Sequence, residues 1–219
     1  MPLSTNSIFQ PGPPANPRSS YGIAALASLY ILVIIIFELI TSLHTSWLGS
    51  KHLVDYGLYD SPLAVLLVVG VAFWRRPKLF FLSRWIPRLT DFAICIPCGV
   101  LIAIVKMWLF SNADERLGPS YSVEHALLPV VLIAPVAEEL LFRGIFLRSL
   151  EERMTIPLAI LVVTLLAAIE HSWFWLALPS QLALSIVYVY LGNSLPASII
   201  VHITMNACIF LDIERLFRH

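Results

Sequence analysis

Apolar residues fall into seven long runs, at about 22–43, 60–74, 90–110, 125–149, 156–177, 179–193 and 195–211, each bounded by charged residues, prolines or Gly-Asn pairs. None alternates apolar with polar positions as a barrel strand does, so the pattern predicts helices throughout. Most runs match the roughly 17 to 25 residues that a bilayer requires. The second and sixth are short, and each is expected either to cross with little tilt or to be a re-entrant piece. The expected fold class is all-α, a polytopic transmembrane helix bundle of about seven spans.

Residues 1–20 differ from the rest of the chain. Pro11, Pro13, Pro14 and Pro17 stand among Ser, Asn and Gly, a composition that buries too little apolar surface to offset ordering entropy, so a disordered Pro-rich tail is expected. It has neither the basic start nor the small-residue cleavage site of a signal peptide. The chain then divides into N-terminal transmembrane helices over 21–124, a helical core over 125–211 and a short tail at 212–219.

Composition sharpens the membrane reading. Hydrophobic residues make up 58% of the 219 and charged residues only 13%, with a mean hydropathy of +0.83, against about 25% charged in a soluble domain. A water-soluble globule of this content would expose large apolar patches, whereas lipid accepts them. Fourteen basic residues balance fourteen acidic ones, so nothing suggests a nucleic-acid partner, and the bilayer itself is the first expected partner. Position matters more than sum. Arg75, Arg76, Lys78, Arg84 and Arg88 come after the second run, and Arg148 and Arg153 after the fourth, on the side of Arg18; opposite lie Lys51, Arg116, Arg215 and Arg218. That asymmetry predicts an integral membrane protein with a cytoplasmic N-terminus. Cys95, Cys98 and Cys208 all sit in apolar runs, and the Cys95–Cys98 pair has Pro97 between and no base nearby, so neither a disulfide framework nor redox chemistry is indicated.

Ionisable groups inside such runs carry the functional signal, because a charge at mid-span costs about 2.5 to 3.5 kcal/mol on insertion scales. Glu138, Glu139 and Arg143 stand together in AEELLFRG. Glu139 and Arg143 are four apart and share a helix face, so they can form a charge-assisted pair. Glu138 is rotated about 100° away, and position 142, where its partner would stand, is Phe. His171 lies in AAIEHSWFW on the fifth run, and His202 and Asn206, four apart in VHITMN, share a face of the seventh. This is a set for hydrolysis: a water polarised between Glu138 and one histidine, with the other histidine and the amide donating to a developing oxyanion. Glu38 and Lys106 lie where long side chains can snorkel to the interface, and Trp173, Phe174 and Trp175 mark an aromatic belt.

EELLFR resembles the EExxxR signature of the CPBP family, the CAAX prenyl endopeptidases and their bacteriocin-processing relatives. His171 is similar to that family's second-motif histidine, and HITMN to its HxxxN motif, with GNSLPASIIVH leading into it as the family's turn does. The resemblance spans about 125–211. It implies a glutamate-dependent intramembrane endopeptidase that cleaves a membrane-associated polypeptide near its terminus. The expected substrate is lipidated or carries a sorting signal; no HExxH is present, and a neutral His and Asn at the oxyanion favour a site with no metal or other cofactor. By that match Glu138 and His171 activate water, Glu139 and Arg143 organise the site, and His202 with Asn206 forms the oxyanion hole. Ala167 stands where the family has Phe, and Glu170 is unusual beside His171. The length and the EHSWFW stretch also resemble small relatives found with exosortase sorting systems. Three alternatives stay open: zinc held by the same residues, a proton or ion pathway, and an immunity or scaffold protein that keeps the fold without the chemistry. Counted along ideal helices, Glu138 and Asn206 lie about 16 Å deep, His171 about 22 Å and His202 about 10 Å, a spread that tilt or offset helix ends must absorb.

Overall fold

A computed structural model describes residues 84–111, 127–169, 171 and 174–217, together with 28, 32, 65, 66 and 69–71. The Pro-rich tail, most of the first apolar run including Glu38, most of the second, the basic residues Arg75, Arg76 and Lys78, and Lys51, Arg116, Glu170 and Trp173 lie outside the described residues. Helices dominate the described part. Helix α1 is Leu89–Ser111 and α2 is a continuous run formed by Leu127–Ile133, Ala134–Glu139, Leu140–Leu147 and Arg148–Glu151. After it come α3, Ile156–Ile169, α4, Phe174–Tyr190, and α5, Leu195–Phe217. Helix α5 therefore continues through most of the short tail expected from 212.

Helix α1 starts from a capped end. The Arg88 backbone N–H donates to the Asp91 carboxylate at 2.9 Å, and that acid, in the first turn, also pairs with Arg84 at 2.8 Å. Its buried positions then recur every fourth residue, Asp91, Cys95, Gly99 and Ala103, which makes a narrow seam of small residues. A methyl at Gly99 would lie 2.7 Å from both Thr204 Cβ and the Val201 carbonyl oxygen of α5, so only glycine permits this backbone approach. The rest of α1 is apolar and faces outward, with Phe92, Ile96, Leu101, Ile104 and Trp108 exposed. Leu89–Leu109 is, by length and composition, long and apolar enough to cross a membrane. Among the described residues it is the one helix that passes that test; Ile156–Ile169, Phe174–Tyr190 and Leu195–Leu211 are shorter apolar helices. The expected count of about seven rests partly on the first two runs, of which only residues 28, 32, 65, 66 and 69–71 are described.

Pairings along α2 and α5 fix their sense. Gly144 lies against Leu195, Glu139 bonds His202 and Val130 bonds Asn206, so the two helices run antiparallel. The segment entering α1 is tied to the turn entering α5. The Arg84 N–H donates to the Asn193 carbonyl at 2.9 Å, and the Leu195 N–H returns to the Arg84 carbonyl at 3.2 Å. Both helices thus start at the same end, and α2 finishes there. The turn itself needs left-handed backbone at Gly192 (φ +71°) and Asn193 (φ +58°), residue types that adopt it readily. Ser194 then caps α5 by accepting the Ala197 N–H at 3.4 Å. At the end of α2, Arg148 and Glu151 form an ion pair; burial pushes the Glu151 carboxyl up from its ordinary range, and Arg148 opposes that shift.

The fifth and sixth runs are divided differently from the sequence expectation, which kept 156–177 together and broke the chain near Pro179. Helix α3 stops at Ile169, and α4 begins at Phe174 with Pro179 inside it. A proline in the second turn of a helix removes one ladder bond and crowds the carbonyl four residues back, a local cost near the helix start, whereas His171 supplies donors for the free carbonyls at the end of α3. The His171 backbone N–H closes onto Ala168 O at 3.1 Å. Aromatic residues mark both ends of α4, Trp175 78% exposed and Tyr190 75% exposed. They are separated by about 22 Å of helix, a spacing suited to two interfacial belts.

Candidate active site

Helix α2 carries the two glutamates on a short α-helical stretch, Ala134–Glu139, between two π-helical stretches, Leu127–Ile133 and Leu140–Leu147. The junction residues Ile133, Glu139, Leu140 and Arg148 all keep right-handed helical backbone, so the run does not break. Such wide turns re-aim side chains and recur at functional sites. In the first, the sequence leaves one ladder bond unmade. In an i to i+5 ladder the N–H due to the Val130 carbonyl would come from position 135, and Pro135 has none. The Asn206 Nδ2 of α5 donates to that carbonyl instead, at 2.9 Å.

The Glu139–Arg143 pair is formed and wholly buried, with Nη1 donating to Oε1 at 2.9 Å. Arg143 is held from a second helix as well. Its Nη2 donates to the Gln181 carbonyl at 2.7 Å, to Gln181 Oε1 at 2.8 Å and to Ser185 Oγ at 3.3 Å. Sequence reading missed Gln181 and Ser185. Both are polar residues inside an apolar run and four apart, which is the signal that drew attention to His202 and Asn206.

His202 meets both acids. Its Nδ1 is 2.9 Å from Glu139 Oε1, and its Nε2 is 3.9 Å from Glu138 Oε2. A carboxylate accepts, so Nδ1 carries the proton and Nε2 faces the second acid. Glu138 is the more open of the two, its side chain 20% exposed, and its Oε2 is buried with no hydrogen-bond partner. Buried acceptors are nearly always satisfied; Glu139 Oε2 also lacks a hydrogen bond, but its side chain is wholly enclosed, so the Glu138 oxygen is the one within reach of an incoming donor such as water or a substrate N–H.

His171 lies just beyond the end of α3 rather than within a span, which accounts for its excess depth in the sequence estimate. Its Nδ1 lies 3.0 Å from the Ala167 carbonyl. A carbonyl only accepts, so Nδ1 holds the proton and Nε2 presents a lone pair. His171 is close enough to Glu138, His202 and Lys106 to interact with them electrostatically, although no hydrogen bond joins it to Glu138. Ala167, at the position of the family's Phe, is fully buried in the same cluster as Phe142 and Phe146. Lys106 does not lie clear of the site as snorkelling implied: it interacts electrostatically with Glu138 and faces inward from α1.

The structure thus gathers Glu138, Glu139, Arg143 and His202 into one group. It sets His171 beside Glu138 and attaches Asn206 to the α2 backbone, one turn along α5 from His202. Among the described residues no three His, Cys, Asp or Glu side chains converge as a metal's ligands would.

Residues 123–208 match the family model for the type II CAAX prenyl endopeptidase Rce1-like proteins, a family of proteases, and this match supports the resemblance to the CPBP family read from the motifs. Comparison with curated proteins and with solved structures finds no match.

Proposed function

We propose that this protein is an intramembrane endopeptidase in which Glu138 is the general base for water. The observation that carries the reading is the partnerless, buried Oε2 of Glu138 beside two imidazoles, within the region that matches the protease family. A water held by Glu138 Oε2 and His171 Nε2 gives its proton to the carboxylate and attacks the scissile carbonyl. The oxyanion is met by the second Asn206 amide N–H, which the bond to Val130 leaves free, and by the Nε2–H of a His202 that takes its second proton from solvent before the substrate binds and keeps it throughout the reaction. Glu139 balances the imidazolium so formed. Glu138 then passes its proton to the leaving amine. Glu139, Arg143, Gln181 and Ser185 hold the helices on which these groups stand. The steps are carried by this chain's own side chains, and none is routed through zinc. The protein sits in a bilayer, bacterial by the resemblance, with its outward apolar faces against lipid and its charges turned inward. The substrate is a membrane-associated polypeptide cut near its terminus, lipidated or bearing a sorting signal.

Glu138→Gln tests the assignment, since an amide cannot take the water's proton. The variant should keep its thermal stability in detergent and lose cleavage of a membrane-anchored reporter polypeptide. A stable, fully active Glu138→Gln protein would remove Glu138 from the chemistry.

A further inference from the structure

Arginine and carboxylate commonly meet as a fork, with two parallel hydrogen bonds from the guanidinium to the two oxygens. Arg143 and Glu139 do not. Nη1 donates to Oε1 at 2.9 Å, and Oε2 is buried with no hydrogen-bond partner. Ser198 of α5, also beside Glu139, gives its hydroxyl hydrogen to the Leu195 carbonyl at 3.0 Å instead. An unsatisfied carboxylate oxygen in a wholly enclosed pair is costly, so the second donor of the fork must be held elsewhere.

It is held by α4, the helix of the matched region that carries none of the three motifs. Nη2, which would complete the fork, donates to the Gln181 carbonyl at 2.7 Å and to Gln181 Oε1 at 2.8 Å, with Ser185 Oγ at 3.3 Å. Gln181 thus takes both Nη2 hydrogens. It is itself buried, and the Ser185 hydroxyl donates to its carbonyl at 3.0 Å, which leaves the Ser185 oxygen to accept from Arg143. On the other side of the pair, Glu139 Oε1 accepts from His202 Nδ1 at 2.9 Å as well as from Arg143. A completed fork would turn the carboxylate squarely onto the guanidinium and away from that imidazole.

We propose that Gln181 is a positioning residue for the oxyanion histidine: by occupying Arg143 Nη2 from α4 it keeps the Glu139–Arg143 pair to one bond, which leaves Glu139 Oε1 aligned on His202 Nδ1 and His202 Nε2 facing Glu138. The inference rests on the endopeptidase reading for what His202 does. Side chains of three helices form one line, Gln181 to Arg143 to Glu139 to His202, and His202 alone of the four reaches the reacting atoms. The nitrogen that a histidine protonates is set by the bond its other nitrogen makes, so a change at Gln181 is legible at His202.

The test reads that histidine directly. Full-length protein with isotope-labelled histidine is placed in lipid nanodiscs, and the His202 ring signals are assigned by their loss in His202→Asn. Ring-nitrogen NMR shifts report which nitrogen carries the proton, and the neutral imidazole of the wild type should show Nδ1–H. Gln181→Met frees one Nη2 hydrogen for Glu139 Oε2. Its His202 should then populate the Nε2–H form, and kcat for a membrane-anchored reporter should fall about ten- to a hundredfold with KM unchanged. Gln181→Glu, which keeps an acceptor in place, should retain the Nδ1–H form. A wild-type His202 protonated at Nε2 overturns the proposal without any variant, and so does a Gln181→Met protein with wild-type His202 signals. Loss of the Nδ1–H form in Gln181→Glu to the same extent as in Gln181→Met also overturns it, since the acceptor would then not be what matters. The expected ring signals in a wild type that cleaves nothing would defeat the endopeptidase reading alone.

Discussion

Removing one side of the Glu139–Arg143 pair separates a structural role from a catalytic one. Arg143→Met deletes a guanidinium that is fully buried and donates to Glu139, to both Gln181 acceptors and to Ser185. Breaking a buried pair from one side costs about 3 to 5 kcal/mol in soluble proteins. Hydrogen bonds between membrane helices average nearer about 0.6 kcal/mol, because the separated helices find other partners. The expected loss for Arg143→Met is therefore about 2 to 4 kcal/mol. Glu139→Gln should lose less, since Gln181 and Ser185 still hold Arg143 and an amide oxygen can still accept from it. In the double variant neither charge is stranded. Its loss should fall short of the sum of the singles by about 1 to 2 kcal/mol, within the usual range for residues in one network. Reversible unfolding in mixed detergent, monitored by helix content, measures all four proteins. Additivity within about 0.5 kcal/mol would refute the idea that the pair is a stability unit.

Three other outcomes rest on the same geometry. Gln181→Leu keeps the backbone acceptor for Arg143 but loses Oε1, so stability should fall by about 1 to 2 kcal/mol in the same unfolding assay, and cleavage with it. Gly99→Ala should destabilise by about 1 to 3 kcal/mol because its methyl meets α5 at 2.7 Å. Gly144→Ala, whose methyl would meet only the Leu195 side chain at 3.7 Å, should be neutral or gain up to about 1 kcal/mol, so a reversed order would show that α1 and α5 are not packed at Gly99. Ile86 and Glu152 are both exposed and belong to the same end of the bundle. In a background without Cys95, Cys98 and Cys208, Ile86→Cys and Glu152→Cys should both resist an impermeant thiol reagent in intact cells, and ready labelling of either from outside would overturn the orientation.

The features legible in the sequence are those that obey a helical period. The Glu139–Arg143 spacing and the want of a partner for Glu138 in its own helix both come from counting fours. So does the His202–Asn206 face. The turn before α5 was legible because Gly192, Asn193 and Ser194 are chemically suited to left-handed backbone and to capping. Contacts between helices were not legible. Gln181 and Ser185 reach Arg143 across 38 and 42 residues, and nothing in a period fixes the register of one helix on another. Pro179 misled in the other direction, because an early-turn proline looks like a boundary while sitting inside α4.

The two wide stretches of α2 connect these levels. Pro135 leaves the Val130 carbonyl without a ladder donor, and Asn206 fills it from α5. Glu139, nine residues further along α2, meets His202 of the same helix at 2.9 Å. Two hydrogen bonds therefore set both the height and the rotation of α2 against α5. With Glu139 turned into the bundle and bound on both sides, the neighbouring position 138 is rotated out of that network. Its carboxylate is held near His171 and His202 with one oxygen unspent. The adjacent glutamates can thus divide the work because helix geometry turns them different ways: Glu139, wholly buried, holds Arg143 and His202 through Oε1, whereas Glu138 is the one whose side chain keeps some exposure and carries no such bonds.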